Sequence, residues 1–255
     1  MAVTLKSPAE IERMRRAGRL VAEVLALVES ELKVGVSTAH LDDLAENHIR
    51  RAGGTPSFKG YPGANPRRPF PASLCISIDH EIVHGIPGER IIRDGQLVSI
   101  DAGAIVEGWH GDAARTFYIG EPPGPVRDLI DTTRLAMMAG IAAAVPGGYL
   151  EDISGAVEDV AAPRGFGIVR QFVGHGIGRA MHEEPQVPNY RVGRKGRRLE
   201  PGLCLAIEPM LTMGSPDARM LDDDWTIVTR DGRLAAHFEH SIAITERGPH
   251  ILTTI

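Results

Sequence analysis

The chain has 255 residues, 43% apolar and 24% charged, ordinary proportions that exclude collagen-like, low-complexity and wholly disordered proteins. Asp plus Glu outnumber Lys plus Arg by 33 to 28, a net charge of −5 with histidine neutral, which argues against a dedicated DNA or RNA binder. The two cysteines, Cys75 and Cys204, form no C-x-x-C pair, so neither a disulfide framework nor a thiolate zinc site is expected, and a reducing cytoplasm fits.

From Met1 to Arg19 charges alternate without an apolar core, so no secretory leader is expected, and nowhere does an apolar run approach the ~18 residues of a membrane span. Ser7-Pro8-Ala9-Glu10 predicts a helix start, with Ser as N-cap, Pro in the first turn and Glu closing a capping box. Ile11, Met14, Leu20, Val21, Val24, Leu25 and Val28 continue it at helical spacing until Gly35. A second helix is predicted from Ser37 through Leu41, Leu44 and Ile49 to Gly53-Gly54. Ala64 to Pro69 reads as a loop from its prolines. Strands are predicted at 74–78, 97–101 and 113–119, the last two joined at Glu107-Gly108. Two more helices, Val126–Val145 and Leu150–Ala161, precede strand-like segments at 168–173, 203–211, 225–229 and 234–244, with an Asp231-Gly232 hairpin signal.

Helices then strands, twice over, predict one α+β domain over residues 1–255 with two similar halves, roughly 1–122 and 123–255. Two echoes support this. Val83-His84-Gly85-Ile86 resembles Gly174-His175-Gly176-Ile177, and Gly95…Ile100-Asp101 resembles Gly202…Ile207-Glu208 at the same spacing. Halves packed about a pseudo-twofold axis would bring His84 to face His175 and Asp101 to face Glu208. Asp112 would neighbour Asp101 across the hairpin centred near Glu107, and Glu239 lies on the 234–244 strand.

Four carboxylates in one pocket have an electrostatic problem. Two of them ~4 Å apart repel by about 4 kcal/mol at an effective dielectric near 20. Shared protons are one escape and two divalent cations another; oxygen-rich ligation with one imidazole favours Mn, Fe(II) or Co over a structural zinc. Spacing alone leaves a solvated, non-functional reading open. Its weakness is that Ser99-Ile100-Asp101 and Ala206-Ile207-Glu208 follow apolar runs, where an unpaired charge is costly. H-E-x-x-H occurs once, as His80-Glu81-Ile82-Val83-His84, outside the predicted helices; no G-x-S-x-G or P-loop pattern occurs, and Arg179 stands where a dinucleotide fingerprint needs its third glycine.

The stretches TPSFKGY (55–61), CISI (75–78), VHGIP (83–87), SIDAG (99–103), GDAARTF (111–117), GHGIG (174–178), MHEEP (181–185), IEPM (207–210) and FEHS (238–241) together resemble the bacterial type I methionine aminopeptidases, in order and over nearly the whole chain. The resemblance implies the pita-bread fold, a curved antiparallel sheet covered by helices, with a dimetal site between two pseudo-symmetric halves. It implies Asp101 as a chelating ligand of one metal, Asp112 and Glu239 as bridges, and His175 and Glu208 completing the other. It implies Glu208 as general base and acid, with His182 and His84 contacting the substrate. Phe58, Tyr61, Phe70, Cys75, Met181 and Trp225 would form the methionine pocket. The cofactors it implies are two divalent ions (Co, Mn, Fe(II) or Zn), with a monovalent cation nearby. The substrates it implies are nascent peptides beginning with Met and a small second residue, met in the cytoplasm, with no membrane and no DNA as partner.

The sequence departs from the family's usual pattern at Ala64–Pro69, an apparent insertion, at Asp79-His80, where Asn-Glu is common, and at His237, where Gln is common. The short interval between His182 and Glu208 leaves no room for a type II insertion, and the first helix near Pro8 argues against the extra N-terminal domains of eukaryotic enzymes and prolidases. The alternatives are a catalytically silent binding module of the same fold and an Xaa-Pro dipeptidase. Arg191, Arg194, Lys195, Arg197 and Arg198 form a basic loop, expected either to be a solvated hairpin or to touch ribosomal RNA transiently.

Overall fold

The computed structural model describes residues 3–63 and 65–255; Met1, Ala2 and Ala64, the first residue of the apparent insertion, lie outside it. Helix α1 (Pro8–Glu31) starts as its sequence dictates: the Glu10 N–H donates to the Ser7 hydroxyl while the Ser7 N–H donates to the Glu10 carboxylate. Ser37 caps α2 (Thr38–Arg51) by accepting the His40 N–H at 3.2 Å. The later helices α3 (Gly124–Ala143) and α4 (Leu150–Ala161) also fall close to their predicted bounds.

Four antiparallel sheets lie among the described residues. In the first, β1 (Thr55–Pro56) and β2 (Leu74–Ile78) lie end to end along one edge of β4 (Leu97–Val106), and β5 (Trp109–Tyr118) runs along the other. β3 (Glu81–Val83) joins β12 (Ile227–Thr229) and β11 (Ala218–Met220) in a second sheet. The third combines β6 (Gly167–Ile168), β10 (Met210–Thr212) and β13 (Ala235–His237). The fourth runs in the order β15 (Gly248–Ile251), β14 (His240–Thr245), β9 (Cys204–Ile207), β7 (Gly174–Gly176) and β8 (Glu183–Val187).

The apolar stripe of α1 (Leu20, Val21, Val24, Leu25, Val28) and Ile49 of α2 bury against Leu74, Ile76, Ile100 and Ala113 of the first sheet. In the second half, Ile141 of α3 and Ile153 of α4 cover Leu205, Ile207, Ile242 and Ile244 of the fourth. Helices thus back the first and fourth sheets, whose other faces are free to build a site.

Three expectations change. The 203–211 and 234–244 segments are not continuous strands. The first breaks at Glu208-Pro209 and the second at Phe238-Glu239, and the chain changes sheet at each break: Ile207 pairs with His240 in the fourth sheet, Met210 with His237 in the third. Pro209 has no N–H with which to continue a ladder, and the Glu239 main chain pairs instead with Ala114 of β5, donating at 2.9 Å and accepting at 3.3 Å. The 168–173 segment is a strand only at Gly167–Ile168. The Asp231-Gly232 turn makes no hairpin, because β12 and β13 belong to different sheets; the Asp231 carboxylate is engaged by the N–H groups of Ser215 and Arg233.

Two close approaches fix the first helix. A Cβ on Gly111 of β5 would lie 2.6 Å from the Gly18 nitrogen, and one on Gly18 would collide with the Leu252 carbonyl. Just ahead of α1, the Lys6 N–H donates to the Gly202 carbonyl at 2.7 Å, and its buried ammonium pairs with Glu183 at 2.6 Å. Helix propensity alone would make Gly18→Ala stabilising by about 1 kcal/mol. The backbone contact reverses the sign: we expect a loss of about 1–3 kcal/mol, read as a lower urea midpoint at unchanged slope.

Candidate active site

The β4–β5 hairpin turns at Glu107-Gly108, both with positive φ (52° and 76°), the twist-matched geometry of a two-residue connection. Its register places Asp101 opposite Ala114 and Asp112 opposite Gly103. The two aspartates are therefore diagonal neighbours on one face, with the hairpin centre at the Glu107-Gly108 bond. A Cβ on Gly103 would stand 2.8 Å from the Phe58 ring, so that ring lies directly on the strand. The Ser241 hydroxyl ties the second half to this hairpin, donating to the Asp112 carbonyl at 2.7 Å and accepting its N–H at 3.1 Å.

From the other side come His175 on β7 and the two carboxylates at the sheet changes. His175 Nδ1–H donates to the Gly176 carbonyl at 2.9 Å, an assignment that leaves Nε2 with a free lone pair. That nitrogen lies 3.5 Å from Glu208 Oε1. Single ligand-type atoms of Asp112, His175 and Glu239 all fall within 4.8 Å of one another, and so do those of Glu208, His237 and Glu239. Glu239 is common to both groups. Asp101 belongs to neither, although its carboxyl and that of Asp112 are close enough to perturb each other's proton affinity.

The electrostatics are those of negative charge crowded out of water. Burial pushes Asp101 up to about 7, with Glu208 adding repulsion and His237 partly offsetting it. Burial alone lifts Glu208 to about 8. Asp112 and Glu239 are raised well above the usual carboxylate range by burial, then by Asp101 and Asp112 respectively. Burial, with His182 nearby, holds His175 down to about 3, a neutral imidazole. Asp101 Oδ1, Asp112 Oδ1, Glu239 Oε1 and His237 Nε2 are buried without a hydrogen-bond partner. Orphaned buried groups are rare, and each asks for a partner. Four anionic oxygen donors with a neutral imidazole suit divalent cations.

A single cavity is lined by every residue the sequence nominated: Asp101, Asp112, His175, Glu208, Glu239, His84, His182, Phe58, Tyr61, Phe70, Cys75, Met181 and Trp225. Phe58, Phe70, Cys75 and Met181 are buried in an apolar cluster with Tyr61 and Trp225 beside it. Phe70 meets Trp225 edge-on at 5.1 Å. The apparent insertion roofs this end: Trp225 Nε1–H donates to the Arg68 carbonyl at 2.9 Å, and Asn65 donates to Asp224 at 3.0 Å.

The histidines are arranged differently from strict pseudo-symmetry. The ring packed on His175 is that of His182, at 4.4 Å between centroids, whereas His84, held at φ 61°, packs on Phe172 and Trp225. His182 Nδ1 also lies 2.6 Å from the Tyr61 hydroxyl. Near the expected monovalent-cation position, the Asp79 carboxylate accepts the Leu97 N–H, and the carbonyls of Asp79 and His80 accept those of Ala235 and Thr229. Sequence reasoning missed Val83, Phe172, Val173 and Met210 as lining residues. Only Phe172-Val173, an apolar pair leading into Gly174-His175-Gly176, offered a usable signal.

Residues 12–246 match the profile of metallopeptidase family M24. The chain is 47% identical over 252 residues to a protein named methionine aminopeptidase from Clostridium acetobutylicum, covering 98% of each. It is 45% identical over 253 residues to methionine aminopeptidase 1 of Bacillus subtilis, covering 99% of this chain and 100% of that one. Its fold superposes on the crystal structure of methionine aminopeptidase from Rickettsia prowazekii with a TM-score of 0.94 at 37% identity, covering 99% of this chain and 100% of that one. Likeness of this extent is kinship, and it covers the cavity and both flanking halves: the chain belongs to metallopeptidase family M24 and has its pita-bread fold.

Proposed function

We infer that this chain removes the N-terminal methionine from peptides, as a type I methionine aminopeptidase acting on nascent proteins with a small second residue. The observation that carries this reading is the junction of two unlike surfaces in one cavity: a buried carboxylate–imidazole cluster and an apolar pocket of aromatic and sulfur side chains. An unbranched thioether suits the second surface, because sulfur and aromatic edges attract, and peptide-bond hydrolysis suits the first. A silent binding module of the same fold would have no use for four buried carboxyls held together at such electrostatic cost.

Asp101, Asp112, His175, Glu208 and Glu239 would hold two divalent cations of the Co, Mn, Fe(II) or Zn type. Four positive charges offset four carboxylates, and the orphaned oxygens support this. Bound there, such ions supply Lewis acidity, polarising a carbonyl and making a water acidic enough to attack near neutral pH. Glu208 is the proton carrier, taking a proton from the attacking water and returning it to the leaving amine. With the Tyr61 hydroxyl, 2.6 Å from His182 Nδ1, taken as the donor of that pair, the His182 proton sits on Nε2, which would be the donor toward the scissile carbonyl oxygen as negative charge grows on it. His84, wedged between Phe172 and Trp225, positions the peptide nitrogen. The same reading takes residues 1–255 as one catalytic domain of two halves, 1–122 and 123–255. Asp101 and Asp112 come from the first half, His175, Glu208 and Glu239 from the second.

The basic loop extends the proposal to a transient ribosome contact in the cytoplasm. Arg191 is engaged by Glu158 and Asp159, and Arg197 by Glu200, so Arg194, Lys195 and Arg198 would carry it. No helix among the described residues is long and apolar enough to cross a membrane.

The direct test is release of free methionine from a Met-Ala-Ser peptide. Activity should vanish on chelation, return with Co, Mn or Fe(II), and not return in His175→Ala; full activity in the chelated protein would refute the metal assignment. His182→Ala should lose about 10²-fold in kcat with both metals retained, and Tyr61→Phe should lose kcat by a smaller factor; a change in KM alone would remove His182 from the transition state. Charge reversal at Arg194 and Lys195 should abolish co-sedimentation with ribosomes, and unaltered co-sedimentation would dismiss that contact.

A further inference from the structure

His237 is the last residue of β13, directly before the chain changes sheet at Phe238-Glu239. Its main chain is fully used by one side chain: the Thr116 hydroxyl accepts the His237 N–H at 2.9 Å and donates to its carbonyl at 2.7 Å. The imidazole is 2% exposed, and its Nε2 is buried without a hydrogen-bond partner. The Glu208 Oε2 atom lies 3.7 Å away, beyond hydrogen-bonding reach. An unsatisfied buried nitrogen costs about 1–3 kcal/mol, so its persistence here calls for a function.

The surroundings supply one. Glu208 stands between two imidazoles, with His175 Nε2 at 3.5 Å from Oε1 and His237 Nε2 at 3.7 Å from Oε2. Each imidazole belongs to its own group of close ligand-type atoms, and Glu239 is shared by both groups. Two donors that each sit about 2.1 Å from one ion stand at most about 4.2 Å apart, and the Glu208–His237 separation falls inside that limit.

We propose that His237 is a sixth protein ligand of the metal centre, binding through Nε2 the cation that Glu208 and Glu239 share; this rests on the dimetal reading given above. That cation would then carry two imidazoles, because the five-ligand set already gives it His175 together with Glu208. Imidazole favours Co, Fe and Zn, whereas all-oxygen sites suit Mn. A histidine at position 237 would therefore shift the metal preference of that site toward the borderline-soft ions while leaving the charge balance of the carboxylates intact.

The test compares the metal-free full-length protein with His237→Gln, His237→Ala and His175→Ala. Each is titrated calorimetrically with Co and separately with Mn, and the Co-loaded forms are examined by proton NMR for hyperfine-shifted imidazole resonances. The main-chain bonds to Thr116 do not depend on the His237 side chain, and Gln and Ala bracket the loss of volume. We expect two imidazole sets in the dicobalt protein, one lost in both His237 variants and the other in His175→Ala. Co affinity at one site should fall at least about tenfold in the His237 variants, with a clearly smaller loss for Mn. Retention of every imidazole resonance in the His237 variants, or equal losses for Co and Mn, overturns the proposal and leaves the five-ligand centre standing. Failure of the parent protein to bind two Co ions, or no lost resonance in His175→Ala, overturns the dimetal reading itself.

Discussion

Four carboxyl groups removed from water within a few ångströms of one another are the constraint around which this molecule is organised. Without positive charge they hold protons: Asp101 and Glu208 are pushed to about 7 and 8, and Asp112 and Glu239 well above the ordinary range. Nothing in an apolar core would assemble such a group, because each member raises the cost of the others. The cluster is held by main-chain and hydroxyl bonds that do not involve the carboxylates themselves. Ser241 clasps the Asp112 peptide group, Ala114 clasps Glu239, and Asn189 donates to the Glu208 carbonyl at 3.1 Å. The carboxylate oxygens are thereby left for something other than the protein.

Delivery of these side chains depends on interrupted strands. A residue inside a continuous strand can present its side chain only to the faces of its own sheet. Glu208 sits where the chain leaves the fourth sheet for the third and Glu239 where it passes from the third to the fourth, so both lie at the seam between sheets. The β4–β5 hairpin forms the opposite wall with its aspartates on one face. Helices α1 and α2 stiffen that wall from behind, and α3 and α4 do the same for the other half. The apolar pocket is a by-product of the same seam, closed by Phe58 lying on Gly103 and by Trp225 under the 65–69 loop.

Much of this was legible in the residues. The Ser7–Glu10 capping box, the Ser37 cap and apolar periodicity give the helices to within about two residues, since those signals are local. The hairpin and its acidic pair follow from alternation and a Glu-Gly turn, although the register was off: Asp112 is diagonal to Asp101, which only the strand pairing reveals. Motif resemblance supplied the remaining site residues, and the cavity collects all of them. What stayed hidden is non-local. The breaks at Glu208 and Phe238-Glu239 are set by pairing partners far away in sequence, and only Pro209 hints at one of them. Asp231-Gly232 carries a strong hairpin signature, yet its flanking strands were claimed by other sheets. His237 looked like an unremarkable exchange in a strand, because neither its burial nor the 3.7 Å to Glu208 can be inferred from spacing.

The tie between Lys6 and the second half has a temporal meaning. Glu183, the partner of the Lys6 ammonium, lies 177 positions further along the chain and Gly202 further still, so both are synthesised long after Lys6. Domains gain structure as synthesis proceeds, so the leading segment must remain undocked while α1 and the first sheet are already able to collapse behind it. Glu183 adjoins His182 in the chain. Docking of the segment ahead of α1 is therefore a late step of maturation, and the wall of the cavity around His182 takes its final setting only when that segment and the later strands have found each other.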